Sequence, residues 1–151
     1  MLPQLIMEYH ISKKVSLNFE EAISCITEEL RKEGFGIIDT IDVKRIFREK
    51  LNVHFRNYII LGACNPRFAY EALLAEDKIG VFLPCNVIVQ QHENEEVEIS
   101  VINPEELMKS SVDFNLKRLQ RMFEDRWRTP YAMCRLTDWI TAICYFSHRL
   151  K

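Results

Sequence analysis

A chain of 151 residues with 48% hydrophobic and 28% charged side chains carries enough apolar material to bury the core of one domain. Its formal charge of −2 supplies no global basic field, which argues against non-specific binding to nucleic acid. Five cysteines without CxxC spacing argue against a secreted disulfide framework and a zinc ribbon, and no apolar run approaches the length of a membrane span, so free thiols in a cytoplasmic protein are expected.

The chain opens with Leu5, Met7, Tyr9 and Ile11 alternating with Glu8 and His10, the period-2 pattern of a half-buried strand. The same two polar residues interrupt the apolar stretch that a signal peptide would need. Asn18 followed by Glu21 has the spacing of a capping box, and Phe19, Ile23, Ile26 and Leu30 then recur at helical spacing until Gly34. Cys25 sits on the flank of that stripe and reads as a small, half-buried packing residue. A second strand is expected over 35–41, followed by a short helix capped by Asp42, with Val43, Ile46, Phe47 and Leu51 on one side. Lys44, Arg45, Arg48 and Lys50 cover its other side and read as a solvated surface without a function.

Residues 58–63 form a continuous apolar run, as a central strand does, and Asn65-Pro66 supplies an N-cap and a proline in the first turn of a third helix. A strand over 81–89 follows, in which Pro84 cannot donate to a ladder and so implies an edge position or a bulge. Residues 91–96 read as a hairpin loop, and Val97, Ile99 and Val101 alternate with polar residues along the return strand. Asn103-Pro104-Glu105-Glu106 repeats the signature of a helix start. The order of elements predicts an α+β domain over residues 1–110, a two-layer arrangement with helices packed on one face of a sheet. Beyond it, residues 111–151 read as a helical extension with helices over 114–126 and 131–149, rich in arginine and aromatic residues. Residues 112–151 carry eight Lys and Arg against four Asp and Glu. A stretch this aromatic calls for a surface to bury against, on its own domain or in a dimer.

Two matched segments stand out, ILGACNP at 60–66 and LPCNV at 83–87, each ending at or crossing a Cys-Asn pair. Cys64 precedes the N-cap Asn65, so its sulfur is expected near unpaired N–H groups and the positive end of a helix dipole, both of which favour thiolate. The alternative is an inert core thiol, since cysteine is among the most buried residue types. Cys85 and Asn86 lie on the next strand, so the two thiols are candidates to meet at one end of the sheet, where they would suit a reversible disulfide or a soft two-coordinate metal. Arg67, in the first turn after Pro66, adds a candidate contact for an anion. Cys64, Asn65, Arg67, Cys85 and Asn86 are thus the candidate ligand-binding residues. His10, His54, His92 and His148 stand at no ligand spacing to either thiol, and no glycine-rich phosphate loop, GxSxG or HExxH occurs.

The segments GFGIIDTIDV at 34–43, REKLNVHFRNYIILGACNP at 48–66, AYEALLAEDKIG at 69–80 and LPCNVIV at 83–89 come in the order and spacing of one family, and over residues 5 to 108 the chain resembles the domain of unknown function 302 family. The resemblance implies a compact α/β fold and a homodimer, and it points to no particular biochemical activity. The expected function is a homodimeric cytoplasmic binding module for a small anionic ligand or soft metal at the Cys-Asn site. A thiol enzyme in redox or sulfur-transfer chemistry, with Cys64 as nucleophile, is the second reading. An interaction scaffold acting through the aromatic C-terminal helices is the third.

Overall fold

The computed structural model describes residues 9–102. In chain order they form β1 (His10–Val15), α1 (Phe19–Lys32), β2 (Gly36–Asp42), α2 (Val43–Leu51), β3 (Tyr58–Cys64), α3 (Pro66–Ala75), a 3₁₀ helix (Asp77–Phe82), β4 (Cys85–Gln91) and β5 (Val97–Ile102). The helix start expected at 103 and the helices expected over 114–126 and 131–149 lie outside the described residues.

The five strands make one antiparallel sheet in the order β1-β5-β4-β3-β2, which with its helices is an α+β fold. Alternation decides what each strand contributes. Leu61 and Ala63 of β3, Val87 and Val89 of β4, and Val97 and Ile99 of β5 are all at most 3% exposed and share one face. Phe19, Ala22, Ile26 and Leu30 of α1 lie against that face at the helical spacing seen in the sequence. Each large apolar side chain buried here is worth about 1.5–3 kcal/mol, which makes this single layer-to-layer contact the main source of stability.

Local signals set the ends of the helices. Asn18 Oδ1 accepts from Glu21 N–H at 2.9 Å while Glu21 Oε2 accepts from Asn18 N–H at 3.2 Å, completing the capping box. At the other end, Gly34 takes φ +83°, a conformation that costs glycine nothing, and Phe35 N–H reaches back to Leu30 O at 2.9 Å. Asp42 caps α2 by accepting from Arg45 N–H at 2.9 Å, and Asn52 closes it in the left-handed region at φ 54°.

The described part of the first strand runs His10–Val15, with Ile11, Lys13 and Val15 inward, and the expected positions Leu5 and Met7 lie outside the described residues. Two expectations needed correction. Residues 81 and 82 belong to the 3₁₀ helix, so β4 starts only at Cys85. Pro84 marks neither an edge nor a bulge: β4 is flanked by β5 and β3, and Pro84 stands just before its first paired residue, after a cis peptide bond. The register shift lies instead on β2, between Ile37 and Asp39, where Ile38 is 64% exposed.

Candidate functional site

The two Cys-Asn segments meet where β3 and β4 begin their pairing. Ala63 is opposite Cys85 and Gly62 is opposite Asn86. Because paired residues share a face, Cys85 lies on the core side with Ala63, and Cys64, one residue further along β3, takes the other side of the pleat. Both are half-buried free thiols. Cys25 differs, being held in a disulfide, against the expectation of free thiols throughout. Burial pushes the Cys85 thiol up, with the charge at Cys64 adding to the same direction. Cys85 therefore stays protonated at neutral pH, whereas a nucleophile or a ready metal ligand needs the thiolate.

The rest of the two segments has structural work that explains its composition. A Cβ on Gly62 would lie 2.8 Å from Pro84 Cγ and 3.5 Å from Asp39 Cβ, so the proline ring occupies the space that a side chain on β3 would take. Asn65 Oδ1 accepts from Arg67 N–H at 3.2 Å and sits 3.5 Å from Phe68 N, capping α3. A Cβ on Gly34 would come within 3.2 Å of Asn65 Nδ2, so the cap of α3 packs against the turn that ends α1. The N–H groups expected to attract an anion beside Cys64 are thus occupied by Asn65 itself. Arg67 and Asn86 are exposed. Among the described residues no group of three His, Cys, Asp or Glu side chains is placed to hold a metal ion. His10 bonds Ser12 at 2.8 Å, His54 contacts Arg48, and His92 lies 3.7 Å from Glu98.

A second feature, at the other end of β3, has more room. The first turn of α1, the helix α2 and residues 53–59 enclose an open cleft of about 410 Å³. Lys44, Arg45 and Arg48 project into it from successive turns of α2, and His54 faces them from the segment that returns to β3. Arg48 Nη1 donates to the His54 ring at 3.0 Å, and Lys44 Nζ donates to Asn57 Oδ1 at 2.7 Å. Glu20 and Asp42 also line it, the latter committed to capping α2, so three permanent cations face two carboxylates. The apolar part of the lining comes from Phe19, Val53, Phe55, Tyr58 and Ile59.

That wall is fixed rather than loose. Phe55 meets Phe47 edge-on with centroids 5.1 Å apart, and the Arg56 guanidinium stacks over Phe55 at 4.7 Å. Arg56 also donates to Gln90 Oε1 at 2.9 and 3.1 Å, while Asn57 Nδ2 donates to Gln91 Oε1 at 2.7 Å. The cations that the sequence assigned to solvent therefore border a formed cleft. The signal that would have found it is the juxtaposition of KR and R on one face of α2 with the aromatic run HFRNY at 54–58.

No described helix is long and apolar enough to cross a membrane. No curated protein matches the chain significantly. A crystal structure of an uncharacterized conserved DUF302 protein from Bacillus stearothermophilus superimposes with a TM-score of 0.70 and is 31% identical, over 84% of this chain and 98% of that one. The family model for the domain of unknown function DUF302 matches residues 11–128, which runs beyond the last described strand. With most of its length matched in sequence and in fold, the chain belongs to the DUF302 family.

Proposed function

We propose that this domain is a binding module for small anionic ligands and that it receives them in the cleft beside α2. One observation carries the reading: Lys44, Arg45, Arg48 and His54, from two separate elements, converge on one formed cavity of about 410 Å³. Cavities of this volume, with convergent polar groups over an apolar wall, are the usual form of small-molecule sites. Arginine presents a planar fork of donors suited to carboxylate or phosphate, and Lys44 and Arg48 are exposed enough to redirect their hydrogen bonds to a ligand.

Relative to a site at Cys64, Asn65, Arg67, Cys85 and Asn86, this location has more cationic donors and the space for a ligand. A catalytic thiol receives no support from a Cys85 held protonated by burial, and among the described residues no third His, Cys, Asp or Glu joins the two thiols in a metal-holding group. The test is an NMR titration of the full chain at low ionic strength with inorganic phosphate and, separately, acetate. Amide shifts should concentrate in residues 42–48 and 53–59, weaken with added salt, and fall at least about tenfold in affinity in a Lys44→Gln/Arg48→Gln variant, about 1.4 kcal/mol or more. Shifts that cluster elsewhere, or that the double substitution leaves unchanged, would overturn it.

A further inference from the structure

Resting on that reading, we infer that the ligand is an amphipathic monocarboxylate, a single anionic head joined to an aromatic or short acyl body. Two divisions of the cleft lead there. The first is between charge and apolar surface. Lys44 and Arg48 offer cationic contacts, whereas the side chains of Val53, Phe55 and Ile59 offer no hydrogen bond at all and stay only partly covered, Val53 at 47% exposure. An inorganic anion would satisfy the first group and leave the second in water. A ligand with an apolar body covers both, and each buried methylene adds to affinity in proportion to the surface removed from water.

The second division is within the charges. Glu20 and Asp42 face the same space as the cations. Both carboxylates repel a second negative group, so the cleft favours one anionic head over a polyanion such as a nucleic-acid backbone. Arg45 is further tempered by Glu49, whose carboxylate lies 3.7 Å away. Lys44 and Arg48 are left as the principal head-group contacts, and their present partners, Asn57 and His54, are not carboxylates. A carboxylate in their place puts a full negative charge opposite each cation, and Arg48 can hold it with a bidentate pair of hydrogen bonds.

Three probes separate the parts of the inference: acetate has the head alone, 2-naphthol the body alone, and 2-naphthoate both. Calorimetric or NMR titration of the full chain should rank 2-naphthoate at least about tenfold tighter than acetate, consistent with burial of one aromatic body, with 2-naphthol weaker than 2-naphthoate. Phe55→Ala should reduce 2-naphthoate binding while leaving acetate unchanged, and Arg48→Gln should reduce both. Equal affinity for acetate and 2-naphthoate, each lost in Arg48→Gln, would overturn the inference and leave the anion reading standing. Equal binding of 2-naphthol and 2-naphthoate, indifferent to Arg48→Gln, would overturn both.

Discussion

Replacing Gly62 with alanine tests the claim that the two Cys-Asn segments are joined by packing. The added Cβ would sit 2.8 Å from Pro84 Cγ, against an optimum of about 3.5–4.0 Å for two carbons. Relief by simple rotation is closed off, because a proline ring does not swing aside and Asp39 Cβ stands at 3.5 Å on the neighbouring strand. Gly62 also lies in the middle of the ladder, paired with Asp39 on one side and Asn86 on the other, so the backbone cannot retreat without disturbing β2 or β4. Overpacking of this kind costs about 1–3 kcal/mol. At about 2–4 °C of melting temperature per kcal/mol for a chain of this length, the loss is readily measured by thermal or urea denaturation. Gly36→Ala is the matched control: it too is a strand glycine, but the nearest atom to its new Cβ is Cys64 O at 4.0 Å, an ordinary contact. A Gly62→Ala protein as stable as the Gly36→Ala protein would refute the packing argument.

Two further outcomes follow from the same region. Asn65→Ala removes the cap of α3 and should destabilise the protein by about 0.5–2 kcal/mol in urea denaturation, with Asn65→Asp recovering most of it; equal stability of alanine and aspartate there would show that the cap contributes nothing. Cys85, with its folded pKa raised by burial, should alkylate with iodoacetamide more slowly at pH 8 than in the unfolded chain, where thiols ionise near about 8.5. The sign for stability is the same: the protonated thiol favours the folded state fully below the unfolded pKa, and that contribution is lost as pH rises through the higher folded value. Cys85→Ala should flatten this alkaline decline, and rapid labelling of native Cys85 below pH 7 would contradict the argument.

How much of this was legible in the sequence differs by feature. The capping box at Asn18 and Glu21 fixed the start of α1 correctly because both partners are local, three residues apart. Asp42, Asn65 and the apolar run of β3 were equally readable for the same reason. Pro84 was not: its missing N–H suggested an edge, but its position just before the first paired residue of β4 removes the conflict with a central strand, and only the sheet order reveals that. The composition of GACNP and LPCNV drew attention to chemistry, whereas Gly62 and Pro84 are explained by each other and Asn65 by the helix it caps. The register settles where Cys64 and Cys85 sit, and a one-residue offset in register, invisible in sequence, places them on different sides. Lys44, Arg45 and Arg48 read as a solvated helix face because their opposite wall, residues 53–59, is distant in pattern though near in space.

The two borders of the sheet are both unsuited to continuing it. On β2 the ladder is broken by the shift between Ile37 and Asp39, and the outer strand then presents the carboxylates of Asp39 and Asp42. On β1 the inward position opposite Ile99 is held by Lys13, followed by Lys14, whose ammonium is tied to Glu96 at 2.9 Å. A strand arriving from another chain would have to match an irregular register at one border or seat itself beside lysine at the other, the devices by which sheet proteins resist growing edge to edge. Crowding should therefore not readily turn the described sheet into a template for cross-strand aggregation.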